Sequence, residues 1–364
     1  MAIILSHNTA LWAIRMLRSE GADLRLWADY TVVANPTPWV GKRWSMREFA
    51  SAEWHWPKPS KECELHVLVP SRQRVRMRYV RAHQCGCGLP PQSILWVDEH
   101  AGVVCPELLF VQMAETLELG QLVMLGNELC GTFTRSAHNP VGGPVVDHVA
   151  PAATVDGIQW YLEQVVGVRG AQRARLALAH VRDGAASVPE AKLATMYDLP
   201  RAECGYGMGP IVLNEYVQVN KTQKPQEQRG RYPDILFSFA PIGINYDGEK
   251  DHLDLGGLVR LARTSALVDN KDRVKANRAL AKKLGATRDK AVDDMRRNRE
   301  FLAKGLVILP ATKEDVNGID NLDNFTRQLL GCAQAFFGVD VSEYEKALDD
   351  TGSRRDRSDL WKSL

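Results

Sequence analysis

Residues 231–248 read RYPDILFSFAPIGINYDG, and this stretch decides the predicted fold of the C-terminal half of the chain. It holds two apolar runs of strand length, Ile235–Phe239 and Ile242–Tyr246, with polar residues on either side. Four further elements are predicted around it: a helix that begins near Ser187, a strand at Val212–Val219, a charged helical region at 256–304 and a short buried strand at 305–310. The order of helix, three strands, helix and strand predicts a mixed α/β fold.

Acidic residues stand at the ends of the two central runs. Asp234 precedes the first run, and Asp247 follows Asn245 at the end of the second. Because residues i and i+2 of a strand point to one face, Asn245 and Asp247 are expected to share a face that Asp234 joins from the neighbouring strand. Carboxylates that converge in this way suit a hard cation such as Mg²⁺ or Mn²⁺, which stabilises the charge on a transferring phosphoryl group.

Each acidic motif also has a purely structural interpretation. Ser187 and Glu190 have the spacing of a capping box, in which the serine caps a helix and the glutamate bonds back to the cap amide. Asp234 follows a proline and could belong to a simple turn, and Asp247 precedes a glycine and could begin a hairpin turn. The residues alone leave both interpretations open, and for Glu190 the two roles are compatible.

In its ordered motifs, the region from 187 to 316 resembles the Vsr-like (very-short-patch-repair-like) branch of the PD-(D/E)XK nuclease superfamily. The matching motifs are Ser187-Val188-Pro189-Glu190, Arg231-Tyr232-Pro233-Asp234, Ile244-Asn245-Tyr246-Asp247-Gly248, His252, Asp294-Met295-Arg296-Arg297-Asn298 and Gly305 to Thr312. The resemblance implies a restriction-endonuclease-like mixed sheet flanked by helices, and a metal-dependent DNA endonuclease or nicking enzyme. It assigns catalytic roles to Glu190, Asp234, Asn245, Asp247 and His252, and it makes Glu190, Asp234 and Asp247 the ligands of Mg²⁺ (or Mn²⁺).

The sequence departs from that family at one acidic position, where the usual glutamate is replaced by Asn245. An amide oxygen can face a cation, but it carries no charge and cannot act as a base. The stretch between His252 and Asp294 is also longer than the family carries. These departures leave open a catalytically degenerate nuclease fold that binds DNA or a protein partner without cutting. A structural or interaction protein with no nucleic-acid role is a third alternative.

The predicted helical region after His252 is strongly basic. Residues 270–304 hold twelve Lys/Arg and five Asp/Glu, although the whole chain has a formal net charge of only +2. Such a segment could contact DNA phosphates, and the alternative is a solvated helix face. The residues assigned to nucleic-acid contact are Lys271, Arg273, Lys275, Lys282, Lys283, Arg296, Arg297 and Arg299.

The N-terminal half begins with the motif Ser6-His7-Asn8-Thr9-Ala10-Leu11-Trp12. Later motifs continue the pattern, namely His66-Val67-Leu68-Val69-Pro70, His83, Cys105-Pro106-Glu107 and Glu128-Leu129-Cys130-Gly131. Together they resemble abortive-infection antitoxin-like (AbiEi-like) domains, which often precede a Vsr-like domain. This resemblance implies a context of antiphage defence or a toxin–antitoxin system, with a toxin or antitoxin protein as a possible partner.

A chain of 364 residues predicts two domains. The expected segments are a smaller AbiEi-like α+β domain at 1–150, a helical connector at 151–186, a restriction-endonuclease-like domain at 187–318, and a C-terminal helix with a charged tail at 319–364. Finer predictions are strands at 65–70 and 75–80, a helix at 106–125, a linker at 138–154, a helical stretch at 157–182 and a frayed tail from Asp349.

Composition and cysteine usage bound the remaining possibilities. The chain is 45% hydrophobic and 25% charged, which is typical of soluble globular proteins, and it has no apolar run that predicts a membrane span. Its seven cysteines and poor match to a signal peptide favour reduced thiols and a cytoplasmic location. His83, Cys85 and Cys87, with Cys105, could be zinc ligands, but their spacing is unusual and buried thiols are the alternative.

Overall fold

The computed structural model describes residues 3–28, 59–70, 78–85, 88–97, 101–165, 167–219, 230–247, 289 and 292–364. These residues belong to two compact units, the first made of Met1–Gly205 with Ser363–Leu364 and the second of Tyr206–Lys362. Helices accompany sheets of mixed strand direction in both units, so the mixed α/β class predicted from the sequence is confirmed. Among the residues described, no helix combines the length and the apolar character needed to cross a lipid bilayer.

Short strands and medium-length helices alternate in the first unit. The strands are β1 (Ile3–Leu5), β2 (Leu65–Pro70), β3 (Val80–Cys85), β4 (Ile94–Trp96), β5 (Ala101–Val104), β6 (Phe133–Thr134) and β7 (Val146–Asp147). The helices are α1 (His7–Ser19), α2 (Leu24–Ala28), α3 (Pro106–Met113), α4 (Leu119–Leu129), α5 (Val155–Gln164), α6 (Ala171–Leu178) and α7 (Val188–Asp198).

A five-stranded sheet of order β3-β2-β1-β5-β4 forms the centre of the first unit. β1 runs parallel to β5 and antiparallel to β2, and β2 runs parallel to β3. Every residue of β1 is buried, as expected for an apolar strand in the middle of a sheet. α1 follows β1 directly and packs against β2 and α3, so the first turn of α1 lies beside the sheet.

Several predicted elements of the first half are shorter than expected. The predicted helix at 106–125 is two helices, α3 and α4, and the predicted helical stretch at 157–182 is α5 and α6. The second break contains Gly167 and Gly170, whose φ angles of 78° and 82° lie in the left-handed region that favours glycine. Apolar spacing alone does not mark the break between α3 and α4, because residues on both sides of it are buried.

Two other predictions near the N terminus need correction. The strand predicted at 75–80 is found at Val80–Cys85, while residues 78 and 79 form a turn and 71–77 lie outside the described residues. The linker predicted at 138–154 contains β7, which pairs with β6 inside the first unit. In both places the position of the strand is set by the strand with which it pairs, and this pairing cannot be predicted from the local amino-acid composition.

A buried ion network ties α1 to α4. Glu128 is 1% exposed and accepts two bonds from Arg15, at 2.8 and 2.7 Å. Arg135 donates to the same carboxylate from its backbone N–H and its guanidinium, at 3.0 and 2.9 Å. Burial would raise the pKa of Glu128, but the two guanidinium groups outweigh that effect and hold the pKa well below its usual range. The carboxylate is therefore ionised and fully paired.

The second unit is built on a four-stranded mixed sheet. The strands of the whole unit, which include a separate two-stranded ribbon, are β8 (Ile211–Leu213), β9 (Val217–Gln218), β10 (Gly230–Arg231), β11 (Ile235–Phe237), β12 (Ile242–Asp247) and β13 (Val307–Thr312). The sheet order is β13-β12-β11-β8, with β12 and β13 parallel and the other neighbours antiparallel, and β9 pairs with β10 as a separate ribbon. Helical residues are 292–302, followed by α8 (Ile319–Phe337), α9 (Ser342–Asp349) and α10 (Thr351–Ser363).

The central strands lie where the sequence predicts them. The runs at 235–239 and 242–246 correspond to β11 and β12, and Gly243 lies where the strands approach closely. A Cβ atom at this glycine would stand 2.4 Å from the carbonyl oxygen of Ile235, so a side chain cannot be accommodated without moving the backbone. The predicted strand at 212–219 is instead two short strands, β8 and β9, which belong to different sheets.

The prediction of a frayed C-terminal tail is wrong. Residues after Asp349 form α10, and Arg357 within this helix is only 3% exposed. Its guanidinium donates to both carboxylate oxygens of Asp323 on α8, at 3.1 and 2.9 Å. The abundance of charge suggested disorder, but one buried bidentate ion pair anchors the segment to its neighbour.

The boundary between the compact units differs from the predicted domain limits. The expected restriction-endonuclease-like domain begins at 187, whereas α7 and everything up to Gly205 belong to the first unit. α7 packs on α4, where Asn127 donates to Thr195 Oγ1 over 3.1 Å. The predicted connector at 151–186 also lies within the first unit and contains α5 and α6.

Candidate functional site

Asp234 is hydrogen-bonded to Asn245 and to Tyr246 at the edge of the β11–β12 pair. The N–H of Asp234 donates to Asn245 Oδ1 over 3.1 Å, and Asp234 Oδ2 accepts the N–H of Tyr246 over 2.5 Å. The register pairs Ile235 with Ile244, so Asp234 comes opposite Asn245. Asp234 thus lies immediately before β11 and opposite Asn245 of β12, and its carboxylate is held against the backbone of Tyr246, the neighbour of Asp247.

Asn245 is an internal residue of the sheet. It is 2% exposed, and its carbonyl oxygen accepts the Asp234 N–H. Its Nδ2 atom is buried and has no hydrogen-bond partner among the described residues. The side-chain oxygen of Asn245 stabilises the strand pair by accepting the Asp234 N–H, so this oxygen is already used in a hydrogen bond within the protein.

Asp247 lies at the end of β12, opposite Thr312 of β13. Its Oδ1 is 3.6 Å from Arg297 Nη2, and the same guanidinium group is 3.2 Å from Asp294. The side chain of Asp247 is 12% exposed. A positive charge from the helical residues 292–302 thus stands beside this carboxylate, where the sequence had predicted a metal ion.

The arginine of the RYPD motif has a structural role. Arg231 donates to Glu300 at 2.8 Å and to both oxygens of Asp293, at 3.0 and 2.9 Å. Hydrogen bonding to Asp293 is the main reason that the pKa of Arg231 is raised above its usual value. These bonds attach the strand that precedes Asp234 to the helical residues that carry Arg297.

Glu190 caps its own helix. The N–H of Glu190 donates to Ser187 Oγ over 3.4 Å, and the Glu190 carboxylate accepts the Ser187 hydroxyl and the Ala186 N–H, each at 2.9 Å. Ser187 therefore caps the helix as predicted, but Glu190 bonds back to the Ala186 N–H and the Ser187 hydroxyl, and not to the predicted N–H of Ser187. Glu190 belongs to the first unit, and Asp234 and Asp247 belong to the second. In the described part of the second unit, no three His, Cys, Asp or Glu ligand atoms lie close enough together to hold a metal ion.

Some predicted site residues lie outside the described residues: His252, Lys271, Arg273, Lys275, Lys282 and Lys283. Of the remaining basic positions, Arg296 is exposed and lies 3.9 Å from Glu300, and Arg299 is exposed. Arg297 is half-buried and occupied with Asp247 and Asp294. Arg296 and Arg299 are thus the described members of the set that solvent reaches most easily.

A second group of polar residues lies in the first unit, and sequence reasoning did not find it. His7, His66 and His83 each offer a ring nitrogen, and these atoms all lie within 4.8 Å of one another. His66 Nδ1 and His83 Nε2 are 2.9 Å apart, a hydrogen bond in which one ring donates to the other. The rings of His7 and His83 stack with their centroids 3.5 Å apart. These three residues form a histidine cluster.

Three different elements carry the histidine cluster. His7 is the first residue of α1, His66 lies on β2 and His83 lies on β3. The N–H of His7 donates to Gln112 Oε1 over 3.1 Å, and the N–H of His66 donates to Thr9 Oγ1 over 2.8 Å. These backbone bonds fix α1 against β2 and α3, so the three rings are held by rigid elements.

Burial governs the charge of these rings. It lowers the pKa of His7 to about 3, and the neighbouring His83, His66 and Arg81 add to the shift. Burial also lowers the pKa of His83 to about 4, and it lowers the pKa of His66. All three imidazoles are therefore neutral near pH 7, and each has one unprotonated nitrogen with a lone pair in that state.

The histidine cluster borders a cavity of about 650 Å³. His7 and His83 line it together with Gln84, Cys85, Gln112 and Glu115. His7 is only 5% exposed, and its two ring nitrogens are buried and have no hydrogen-bond partner among the described residues. A buried donor and acceptor without partners are costly, which makes this ring a candidate for contact with a ligand.

The zinc interpretation that joined His83 to cysteines needs correction. Cys105 is the N-cap of α3 and accepts the N–H of Leu108 over 3.4 Å, and Cys87 lies outside the described residues. Cys105 and Cys130 are buried thiols, and none of the six described cysteines forms a disulfide. His83 instead meets two histidines far away in the sequence.

His7, His66 and His83 all stand in the motifs that suggested the AbiEi-like resemblance, but the sequence alone gave them no site role and did not indicate that they meet. His7 follows β1 closely, and His66 is 8% exposed within β2. The chemistry of the two sites differs, because one offers carboxylate and amide oxygens and the other offers imidazole nitrogens. In comparisons with known proteins, the chain matches no protein-family model, no curated protein and no solved structure.

Proposed function

We propose that the chain is a metal-dependent DNA endonuclease or nicking enzyme whose catalytic unit has a restriction-endonuclease-like fold of the Vsr-like kind. One observation carries the proposal. Asp234 immediately precedes β11 and its Oδ2 accepts the N–H of Tyr246 over 2.5 Å, so Asp234 and Asp247 lie at the same end of the β11–β12 pair. Metal-dependent phosphodiesterases hold their cations with carboxylates, and these two residues supply them here.

The strand order also supports the proposed fold. β8, β11 and β12 are antiparallel neighbours in chain order, the helical residues 292–302 come next, and β13 returns parallel to β12. A parallel return needs a long crossover connection, and the helical residues lie within it. Thr312 at the end of β13 stands opposite Asp247, in line with the order of motifs that suggested the resemblance.

The donor set fits a hard cation. Asp234 and Asp247 would hold Mg²⁺ or Mn²⁺ through carboxylate oxygens, and Asn245 lies between them in the strand pair with its oxygen bonded to a backbone amide. When bound, the ion supplies charge stabilisation to the phosphoryl group and lowers the pKa of a water molecule. Arg297, which lies 3.6 Å from Asp247, holds that carboxylate in place. Arg296 and Arg299, which lie in the same helical segment (292–302), would contact DNA phosphates.

A second candidate function is favoured by a specific contact. Asn245 replaces the expected acidic residue, and its side-chain carbonyl oxygen already accepts the Asp234 N–H. The guanidinium of Arg297 beside Asp247 also supplies a positive charge without a metal. With these contacts the same unit would bind DNA, or a toxin or antitoxin partner, as a nuclease fold that has lost its activity.

Cleavage of supercoiled plasmid DNA in Mg²⁺ or Mn²⁺ tests the proposal. Wild-type protein should nick or linearise the plasmid, and Asp247→Asn should lower the rate by at least about 100-fold, because a lost metal ligand removes several kcal/mol of transition-state stabilisation. Asp359→Asn is the matched control in the same unit, since the Asp359 side chain is 67% exposed and lies 3.7 Å from Lys362. Unchanged cleavage by Asp247→Asn would reject the proposed site.

The two candidate functions predict different outcomes. If wild-type protein binds DNA without metal and cuts none, and Asn245→Glu gains Mg²⁺-dependent cleavage, the degenerate-fold function is supported. If wild-type protein neither cuts nor binds DNA at low salt, the nuclease function and the DNA-binding form of the degenerate fold are both rejected.

A further inference from the structure

We propose that the histidine cluster of the first unit is a binding site for a divalent transition-metal ion of the zinc class, with an open coordination position towards the adjoining cavity. The three ligand atoms would come from His7, His66 and His83, whose ring nitrogens already lie within 4.8 Å of one another. This site is independent of the carboxylates proposed for DNA cleavage, which lie in the other compact unit.

The distances suit a tetrahedral ion. Zinc–nitrogen bonds of about 2.0–2.1 Å in a tetrahedron separate the nitrogens by roughly 3.3 Å. His66 Nδ1 and His83 Nε2 are 2.9 Å apart, and the widest separation in the cluster is within 4.8 Å. The rings of His7 and His83 are stacked, so their in-plane lone pairs run nearly parallel, and at least one of these side chains has to rotate before all three nitrogens can reach one ion.

Packing alone leaves the His7 ring unexplained. The residue is only 5% exposed, and neither ring nitrogen has a partner among the described residues. Its neighbours His66 and His83 satisfy each other by one hydrogen bond. A metal ion would bind one nitrogen of each ring and replace that hydrogen bond by two stronger contacts, with the ring proton residing on the other nitrogen.

The backbone at His7 is also unusual. Its φ of 49° lies in the left-handed region, which a non-glycine residue adopts at a cost. This conformation occurs at the start of α1, where the His7 N–H is held by Gln112 and the N–H of His66 by Thr9. Strain that is held in place by neighbouring elements is typical of functional positions, and here it points the His7 ring towards the other two.

The chemistry of the ligands selects the ion. Imidazole nitrogen suits zinc, copper, nickel and iron, whereas magnesium prefers oxygen. Three histidines leave the fourth tetrahedral position for water or another small ligand, as in catalytic rather than structural zinc sites. The cavity of about 650 Å³ beside His7 and His83 provides the space for that ligand, with Gln112 and Glu115 among its polar walls.

Metal titration of the full-length, tag-free protein tests the site. Apo protein prepared with a chelator should bind one equivalent of Zn²⁺ by calorimetry and one equivalent of Co²⁺ with the visible spectrum of a tetrahedral nitrogen-ligated ion. That spectrum should lack a thiolate charge-transfer band, because the ligands are histidines and not Cys85. Azide should perturb it, since the fourth position is open. A thiolate band or an azide-insensitive spectrum would overturn the proposed coordination.

Single substitutions identify the ligands. His7→Asn, His66→Asn and His83→Asn should each weaken Zn²⁺ binding by at least about 100-fold, more than the roughly 10–100-fold typical of residues that only orient a ligand. Asparagine is chosen because it tolerates the left-handed backbone at His7. His148→Asn is the matched control, since His148 is exposed and has a φ of 60°, and it should bind zinc like the wild type.

Folding of each variant is checked by circular dichroism, and a variant that unfolds is replaced by Gln at the same position. Retention of one tight Zn²⁺ equivalent in all three folded variants would overturn the proposal, as would the absence of tight binding in the wild type. Neither result bears on plasmid cleavage, so a failure here and a failure of the nuclease proposal are distinguishable.

Discussion

The carboxylate pair of the second unit and the histidine cluster of the first differ in how their polar atoms are satisfied. The oxygen atoms Asp234 Oδ2, Asn245 Oδ1 and Asp247 Oδ1 each face a described partner, respectively an amide, an amide and a guanidinium, and Asn245 Nδ2 is the one buried atom of this group without a partner among the described residues. The ring nitrogens of His7 are buried but have no such partner among the described residues. Polar groups that satisfy one another can stabilise a fold without a ligand, whereas an unsatisfied buried ring calls for one.

The comparison also separates two kinds of sequence signal. The carboxylate motifs lie within one short stretch, with Asp234 and Asp247 at the ends of adjacent strands joined by a tight connection. The histidine cluster is assembled from α1, which is far from the other two elements in the chain, and from β2 and β3; these elements meet because β1 pairs with β2 and β2 with β3. A site whose residues lie close together in the sequence can be proposed from one local motif, whereas a site built from separate elements becomes visible only when the strands pair.

Zinc binding should change the free energy of unfolding more than any other treatment or variant in this series, and it should stabilise only the first unit. At a free Zn²⁺ concentration of about 100 times its dissociation constant, binding to the native state adds about 2.7 kcal/mol to the free energy of unfolding. Denaturant unfolding monitored with and without Zn²⁺ measures this change. His83→Asn should show none of it. Equal stabilisation of that variant would mean that the histidine cluster is merely packed.

Loss of the Asn245 side-chain oxygen should cause the next largest change in the free energy of unfolding, which should decrease. Asn245→Ala leaves the buried Asp234 N–H without its acceptor and should lower the free energy of unfolding by about 1–3 kcal/mol. Hydrogen exchange at the Asp234 amide should accelerate accordingly. Asn324→Ala, at an exposed position of α8 in the same unit, should change stability by less than about 0.5 kcal/mol. An Asp234 amide that stays equally protected would contradict the structural role of Asn245.

Acidification should destabilise the metal-free first unit. Burial lowers the pKa of His7 to about 3 and of His83 to about 4, both below the unfolded value of 6.5. The unfolded chain therefore binds more protons between pH 6.5 and 4, so the stability present above pH 6.5 falls as the pH decreases through that window. The upper limit is about 1.4 kcal/mol per pH unit for each ring, and less for the half-buried His83.

Unfolding measured at about pH 7 and about pH 5 in the presence of a chelator checks this loss. His7→Asn removes the imidazole whose pKa is lowered most, so its stability should depend less on pH in this range than that of the wild type. A pH dependence identical to the wild type would show that acidic side chains, and not the histidine cluster, control the transition.

Removal of the Arg297 charge should have the smallest effect. Its contact with Asp247 is 3.6 Å long, and its side chain is 23% exposed, so the ion pair is worth at most about 1 kcal/mol. Arg297→Gln should lower the free energy of unfolding by no more than that. If the nuclease proposal holds, the same variant should still require Asp247 for cleavage. A loss of several kcal/mol would mean that the pair is a main support of the sheet edge.

The sequence anticipated the features that depend on neighbouring residues. Ser187 caps α7 as its spacing predicted, because capping involves only the next three residues. β11 and β12 occur where the apolar runs lie, and Asp234 stands opposite Asn245 as the strand geometry required. The roles of these residues in metal binding and DNA cleavage stay predictions, and so do those of His252 and the basic residues at 271–283.

The features that the sequence missed depend on distant contacts. α10 was expected to fray because its charges are dense, but Arg357 finds Asp323 on another helix. The helical stretch at 157–182 breaks at Gly167 and Gly170, where a Cβ on Gly170 would stand 2.2 Å from the carbonyl oxygen of Val111. Neither contact partner can be identified from the local pattern of apolar and polar residues.

The sequence by itself determined the mixed α/β class, the two central strands of the second unit and the helix cap at Ser187, since strand alternation and capping are short-range properties of the chain. The tertiary structure alone decided that Arg297 would stand beside Asp247 and that His7, His66 and His83 would meet. The physical reason is register: in the parallel β2–β3 pair, Leu68 lies opposite His83. A shift of one residue would turn His83 to the other face of the sheet.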